Sequence, residues 1–190
     1  MSTSNYPENS SSELFNRSEL TATGIQSTAD AQLASKVDDA AASSNSKSDV
    51  FNHVQTVLTG YLTSSPLYKL LLSSLVLSSA SEGHVTLSLV VLPLHVNSKA
   101  VLHGSVSATL VDLVAGLAII CAGSPKAGLS TDLHVSFVGT AREGDILWIE
   151  GFAERVGGTL AFTRVRVEKE VGREGGRALV ATGAHTKYVK

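Results

Sequence analysis

The sequence predicts an α+β domain in which an antiparallel sheet wraps around a long central helix. Three observations carry this expectation. Residues 105–122 read as one nearly unbroken apolar helix, and six runs with strand-like period flank it, two before and four after. Consecutive strands are also joined by turns too short for the crossovers of a parallel sheet.

The first 48 of the 190 residues differ in kind from the rest. A quarter of them are serine, their only aromatics are Tyr6 and Phe15, and six acids stand against three bases. Such a segment buries too little apolar surface to offset its ordering entropy, so residues 1–48 read as a disordered extension. A short partner-bound helix over Glu13 to Leu20 is the alternative. The folded domain is expected over 49–190. Asp49 is a plausible N-cap for a helix carrying Val50, Val54, Val57, Leu58 and Tyr61. Pro66 suits the first position of a second helix.

The period then changes. "LVLSSASEGHVTLSLVVL" predicts two strands around a Ser-Glu-Gly turn, with Val85, Leu87 and Leu89 alternating against Thr86, Ser88 and Val90. After the central helix, "GLSTDLHVSFVG", "DILWIEGFAERV", "TLAFTRVRVEKE" and "RALVATGAHTKYV" predict four more strands. The turns between them are "AREGD", the Gly157–Gly158 pair and "GREGG". Arg164 and Arg166 alternate with Val165 and Val167, which puts the arginines on a solvated strand face. Trp148 is expected in packing or at an interface.

A net charge of −2 gives no basic field to attract nucleic acid or an anionic membrane. Cys121 is the only cysteine, so no intrachain disulfide can form, and a reducing compartment fits. The apolar run Leu113 to Ala122 falls short of the roughly 20 residues of a membrane span. The N-terminal stretch has no apolar core of a secretory signal. Glu8, Glu13, Glu19 and Asp30 against Arg17 argue against a mitochondrial presequence, and "KYVK" is not the Ser-Lys-Leu signal. A cytoplasmic protein is expected, with mitochondria left open. Six histidines include no HxxxH spacing, so no metal is expected.

The central helix, entered through His103 and Gly104, poses the functional question. Leu110, Leu113, Val114, Leu117 and Ala118 form one apolar stripe, and Val111, Ala115 and Ile119 cover much of the other side. Asp112 therefore lies in or beside a low-dielectric place. It is either a structural acid satisfied by amides or a basic partner, or a carboxylate poised as general base or nucleophile. Gly104 favours the second reading. Its amide points outward from a helix N-terminus, and a residue with no side chain lets a substrate carbonyl approach, as an oxyanion hole requires. Eight residues separate Gly104 from Asp112, about 12 Å along a helix. One carbonyl cannot touch both on one helix, so the spacing predicts an active site shared between two subunits.

"NSKAVLHGSVSATLVDLVAGLA" resembles the Asn-x5-His-Gly-Gly-x7-Asp signature of hotdog-fold acyl-CoA thioesterases, the phenylacetate-pathway and acyl-CoA thioesterase 13-like type. The similarity runs from about Tyr68 to Lys190 and takes in "GLSTDLHVSF", "GGTLAFTRV" and "GAHTKYV". The resemblance implies a hotdog fold, a homodimer that pairs into a dimer of dimers, and acyl-CoA as substrate, with no separate cofactor. It implies that Gly104 supplies the oxyanion amide and that Asp112 acts from the neighbouring subunit. Ser130 would help hold the attacking water and Asn97 would orient the thioester or the water. The implied CoA contacts are Phe137, Val138, Gly139, Thr140, Ala141 and Arg142, then Arg155, Gly157, Gly158 and Thr159, then Lys187. Arg142, Arg155 and Lys187 would neutralise phosphates.

His103 joins the substrate-binding set with a positional role, a catalytic base being the alternative. Ser105 departs from the signature's second glycine and caps the helix or narrows the acyl pocket. Ser130 could otherwise be an ordinary strand residue. The expected function is hydrolysis of a fatty or aryl acyl-CoA to free acid and CoA. The alternatives are a non-catalytic acyl-CoA-binding hotdog and a thioesterase for carrier-bound acyl groups.

Overall fold

The computed structural model describes residues 48–172 and 175–190. Residues 1–47, where an extension and a Glu13 to Leu20 helix were the expectations, lie outside the described residues. The first described element, α1, spans 48–64 and buries Val54 and Leu58. Ser48 and Asp49 are already helical, so Asp49 is not the N-cap expected of it. An acid suits the first turn of a helix as well as its cap, and composition does not separate the two. The second helix, α2 (Pro66–Leu72), begins at the proline, and the Ser65 hydroxyl accepts a hydrogen bond from the Tyr68 amide.

Strands β1 (Val76–Ser81) and β2 (His84–Val90) follow, and a 3-10 turn at Pro93–His95 leads to α3 (Gly104–Cys121). The four remaining strands are β3 (Leu129–Phe137), β4 (Ile146–Val156), β5 (Leu160–Val171) and β6 (Gly176–Tyr188). All pairings are antiparallel, in the order β1-β2-β4-β5-β6-β3. The expected alternation holds in β2, where Val85, Leu87 and Leu89 are buried, and Thr86 is buried with them.

The core is α3 held by the sheet. Every residue of both expected stripes is buried. The 18-residue helix is apolar enough in composition to suit a membrane, yet most of it is buried inside the protein. Two glycines let helix and sheet approach. A Cβ at Gly151 of β4 would stand 2.7 Å from Val114 Cγ1 and 2.9 Å from the Val114 carbonyl oxygen, and one at Gly183 of β6 would run into the Val111 side chain. The opposite face of the sheet is solvated. There Arg164 pairs with Glu154, Arg166 with Glu168 and Arg177 with Glu150, while Arg177 lies over the Trp148 ring.

His95 links two segments from the inside. It is buried, its Nδ1 accepts from the Leu92 amide (3.0 Å), and its Nε2 donates to the Leu71 carbonyl of α2 (2.7 Å). Its own carbonyl accepts from the His103 amide at the start of α3 (2.8 Å). At the far edge, β3 pairs with β6 alone and exposes Leu129, Leu133 and Phe137.

Gly183→Ala is expected to lower stability by about 1–3 kcal/mol, because the added methyl overfills the contact with Val111. In urea the midpoint should fall with the slope unchanged. Gly60→Ala on α1 meets open space. It should raise the midpoint by about 0.5–1 kcal/mol of helix stability.

Candidate active site

Asp112 is where α3 meets the end of the sheet. The β3–β6 register sets Ser130 opposite Lys187, with an irregularity just after Ser130. His185 and Lys187 alternate inward along β6, so both point at the helix. Asp112 Oδ1 accepts from Lys187 Nζ at 3.0 Å and from the Ser130 hydroxyl at 3.3 Å, and Oδ2 accepts from the Tyr68 hydroxyl of α2 at 3.0 Å. His185 Nδ1 lies 3.6 Å from Oδ1, and neither ring nitrogen of this buried histidine has a hydrogen-bond partner among the described residues.

The Asp112 side chain is 33% exposed and Lys187 only 7%. Burial pushes the Asp112 carboxyl up, but the Lys187 ammonium together with the Tyr68 hydroxyl outweighs it and holds the group below the usual carboxylate range. Burial, then the charge of Asp112, pushes the Tyr68 phenol well above its ordinary value, so it stays a donor. Burial, then Lys187, pushes His185 down, so it is neutral at pH 7.

Two cavities flank the carboxylate. One of about 250 Å³ runs along Tyr61, Leu113, Gly116 and Lys187. The other, of about 430 Å³, is bounded by Leu67, Ala108, Thr109 and Leu133. Tyr68, Asp112 and Ser130 line both. An ionised carboxylate beside a hydroxyl, open to two cavities, can take a proton from a bound water. Among the described residues no three His, Cys, Asp or Glu side chains could together hold a metal ion.

Gly104 is the first residue of α3 and lies at another place. Among the described residues its amide donates to no acceptor. A Cβ there would sit 3.3 Å from the exposed Phe137 ring.

Residues 99–176 match the family profile described as the thioesterase superfamily. Human acyl-coenzyme A thioesterase 13 is 32% identical over 129 residues, which is 67% of this chain and 89% of the relative. The chain belongs to the thioesterase superfamily. The mouse acyl-coenzyme A thioesterase 13 is 30% identical over 125 residues, 65% of this chain and 86% of its own. The crystal structure of zebra fish thioesterase superfamily member 2 superposes with a TM-score of 0.67 at 29% identity, covering 74% of this chain and 98% of that one. Escherichia coli PaaI, at 14% identity and a TM-score of 0.60 over 74% of this chain and 96% of its own, shares the fold. The fold is the hotdog, and the protein is a thioester hydrolase.

Within this thioesterase the structure brings Ser130 to Asp112 and keeps Gly104 and Asn97 apart from them. Asn97 Oδ1 accepts from the amides of Lys99 (2.8 Å) and Val101 (3.5 Å), which shapes the loop before α3. His103 is the N-cap of α3: its Nδ1 accepts from the Ser105 amide (3.1 Å) and lies 2.7 Å from the Ser105 hydroxyl. That contact occupies Ser105 at the helix start.

Phe137, Val138, Thr140, Arg142, Arg155, Gly158 and Thr159 are exposed, and Gly157 is half-buried. Two of the expected CoA contacts are buried in the described chain. Lys187 is one, with its ammonium on Asp112. Ala141 is buried too, and its carbonyl accepts from the Leu102 amide, which turns its side chain into the core. Gly139 is held by its amide to the Val180 carbonyl (2.9 Å).

Sequence reasoning did not find Tyr68 or His185 as neighbours of Asp112. For His185 a signal existed: "HTK" places two polar side chains at inward positions of a strand. Tyr68 carried none, since 44 residues separate it from the acid it touches.

Lys187→Met should raise the midpoint of the Asp112 carboxyl, because burial remains while its main counterweight is gone. Carbon-13 NMR titration reads this directly. In the native chain Asp112 should titrate below about 3.9, and its contribution to stability should be complete above that pH and lost as pH falls through the lower folded value. An unmoved midpoint in the variant would show that Lys187 does not hold the acid.

Proposed function

We propose that this protein hydrolyses acyl-CoA thioesters, with Asp112 of one protomer activating water against a carbonyl polarised by the Gly104 amide of a second copy. The observation that carries the reading is the ionised Asp112 carboxylate sharing the Ser130 hydroxyl at a junction of two cavities. The relatives named acyl-coenzyme A thioesterase 13 support acyl-CoA as the substrate class.

In this reaction water held by Ser130 attacks the thioester carbon as its proton passes to Asp112. The oxyanion is met by the Gly104 N–H at the positive end of α3. The C–S bond then breaks, and the proton on Asp112 goes to the departing CoA sulfur, giving free acid and CoA. Asn97 would steady the thioester from the loop before α3. Arg142 and Arg155, exposed and without ion pairs among the described residues, are the candidates for CoA phosphates.

The edge strand supports a shared site. An exposed apolar edge is a template for pairing. Antiparallel pairing of β3 with its own copy about Leu133 would set Phe137 of one chain opposite Leu129 of the other. Gly104 packs against Phe137, and Asp112 bonds Ser130, the neighbour of Leu129. Such a pairing carries each Gly104 toward the other chain's Asp112, as their spacing on one helix demands. Two such dimers would then assemble into a tetramer.

Asp112→Asn should slow CoA release by about 10²–10⁴-fold while the oligomer and fold persist. Gly104→Pro is the complementary change: proline is tolerated at the first helical position and removes the amide hydrogen, while its ring pushes the exposed Phe137 side chain aside. Each variant alone should be nearly inactive, whereas mixed oligomers should recover activity, since one site in each heterodimer has both native groups. No recovery in proven heterodimers would place Gly104 and Asp112 of the same chain in one site. Native-like rates in Asp112→Asn would defeat the mechanism.

A further inference from the structure

The donors around Asp112 are unevenly shared between its two oxygens. A carboxylate offers about four acceptor positions, two on each oxygen. Lys187 Nζ at 3.0 Å and the Ser130 hydroxyl at 3.3 Å take up those of Oδ1. His185 Nδ1 stands 3.6 Å from the same oxygen, too far for a hydrogen bond. Oδ2 accepts from the Tyr68 hydroxyl, at 3.0 Å, and from no other donor among the described residues, so one of its positions is open.

Tyr68 comes from α2, and that helix has other anchors. Leu72 is fully buried, and the Leu71 carbonyl accepts from His95. A phenylalanine ring would fill the space of the Tyr68 ring, so the hydroxyl is not what docks the helix. Burial, then the Asp112 charge, keeps the proton on this phenol. Tyr61 of α1 lines the same cavity, and burial keeps its phenol neutral too.

We propose, resting on the thioesterase reading above, that Oδ2 is the oxygen that takes the proton of the attacking water, and that Tyr68 is a positioning residue whose phenol aims it. The Ser130 hydroxyl gives its hydrogen to Oδ1, so its oxygen is free to accept one hydrogen of the water. The other hydrogen passes to Oδ2 as a proton. The electron pair it leaves behind forms the bond to the thioester carbon, and Oδ2 later returns the proton to the CoA sulfur. The phenol proton stays on Tyr68 throughout.

Losing the phenol makes Asp112 the stronger base, which helps the transfer. It also frees Oδ2 to turn, and a misplacement of about 1 Å costs on the order of 10²-fold. Loss of aim outweighs the gain. Tyr68→Phe should therefore lower kcat about tenfold, with KM changed less than about twofold and the urea midpoint near native. The acid limb of kcat/KM reports the ionisation of Asp112 in the free protein. That limb should move to higher pH in Tyr68→Phe, because the lost donor held the carboxyl down. With 3-fluorotyrosine in place of Tyr68, a more acidic phenol of nearly the same shape, it should move to lower pH. A tyrosine that only packs α2 would leave the limb unmoved by the fluorine. Native kcat in Tyr68→Phe, or a limb that ignores the fluorine, overturns the proposal. Should the native protein release CoA from no acyl-CoA, the thioesterase reading fails instead. Carbon-13 titration of Asp112 in the same proteins then decides whether Tyr68 governs the carboxylate: opposite shifts in the two variants support it, and an unmoved midpoint overturns it.

Discussion

Val111 and Val114 of α3 rest directly on Gly183 and Gly151, and this contact sets the height at which the helix lies over the sheet. A larger residue at either glycine would lift the helix off its bed. Asp112 follows Val111, so the same contact lowers the carboxylate to the level of His185 and Lys187 on β6. With an ordinary helix-to-sheet separation, a lysine side chain could reach up, but the strand hydroxyl of Ser130 could not follow it. The Asp112 carboxylate thus owes its surroundings to two positions that carry no side chain.

The two readings of Asp112, structural acid and chemical acid, converge in its environment. Lys187 supplies the basic partner that a half-buried carboxylate needs, and the same ammonium keeps the group ionised so that it can accept a proton. Tyr68 fixes the second oxygen. The pair is also lopsided in access: a third of the acid's side-chain surface is open while its partner is closed off. The proposed base needs that asymmetry.

Much of the architecture was legible because periodicity reports local geometry. The six strands, the turn at Glu82–Gly83 and the buried stripes of α3 all follow from alternation or helical spacing. Asp112 and Gly104 drew attention for a related reason, as an acid and a glycine standing out against an apolar helix, and the structure places the acid where α3 meets the end of the sheet. Lys187 entered only through the family resemblance, and its contact with Asp112 shows once the inward phase of β6 is followed to its end. Tyr68 and His185 reach Asp112 through register and docking, which join residues 44 and more positions apart. The inward phase of "HTK" hints at His185, whereas the docking of Tyr68 leaves no trace in any one segment.

His95 has a mechanical meaning beyond its hydrogen bonds. Its ring is pinned to α2 at Leu71 and its backbone to the entry of α3 at His103. The helix bearing the Tyr68 hydroxyl and the turn bearing the Gly104 amide are thereby cross-braced through one side chain. Any swing of α2 away from Asp112 must break a carbonyl contact in the interior or drag the mouth of α3 with it. With Gly104 and Asp112 eight residues apart on one rod, that brace makes the local opening of one wall a displacement felt at the other end of the helix.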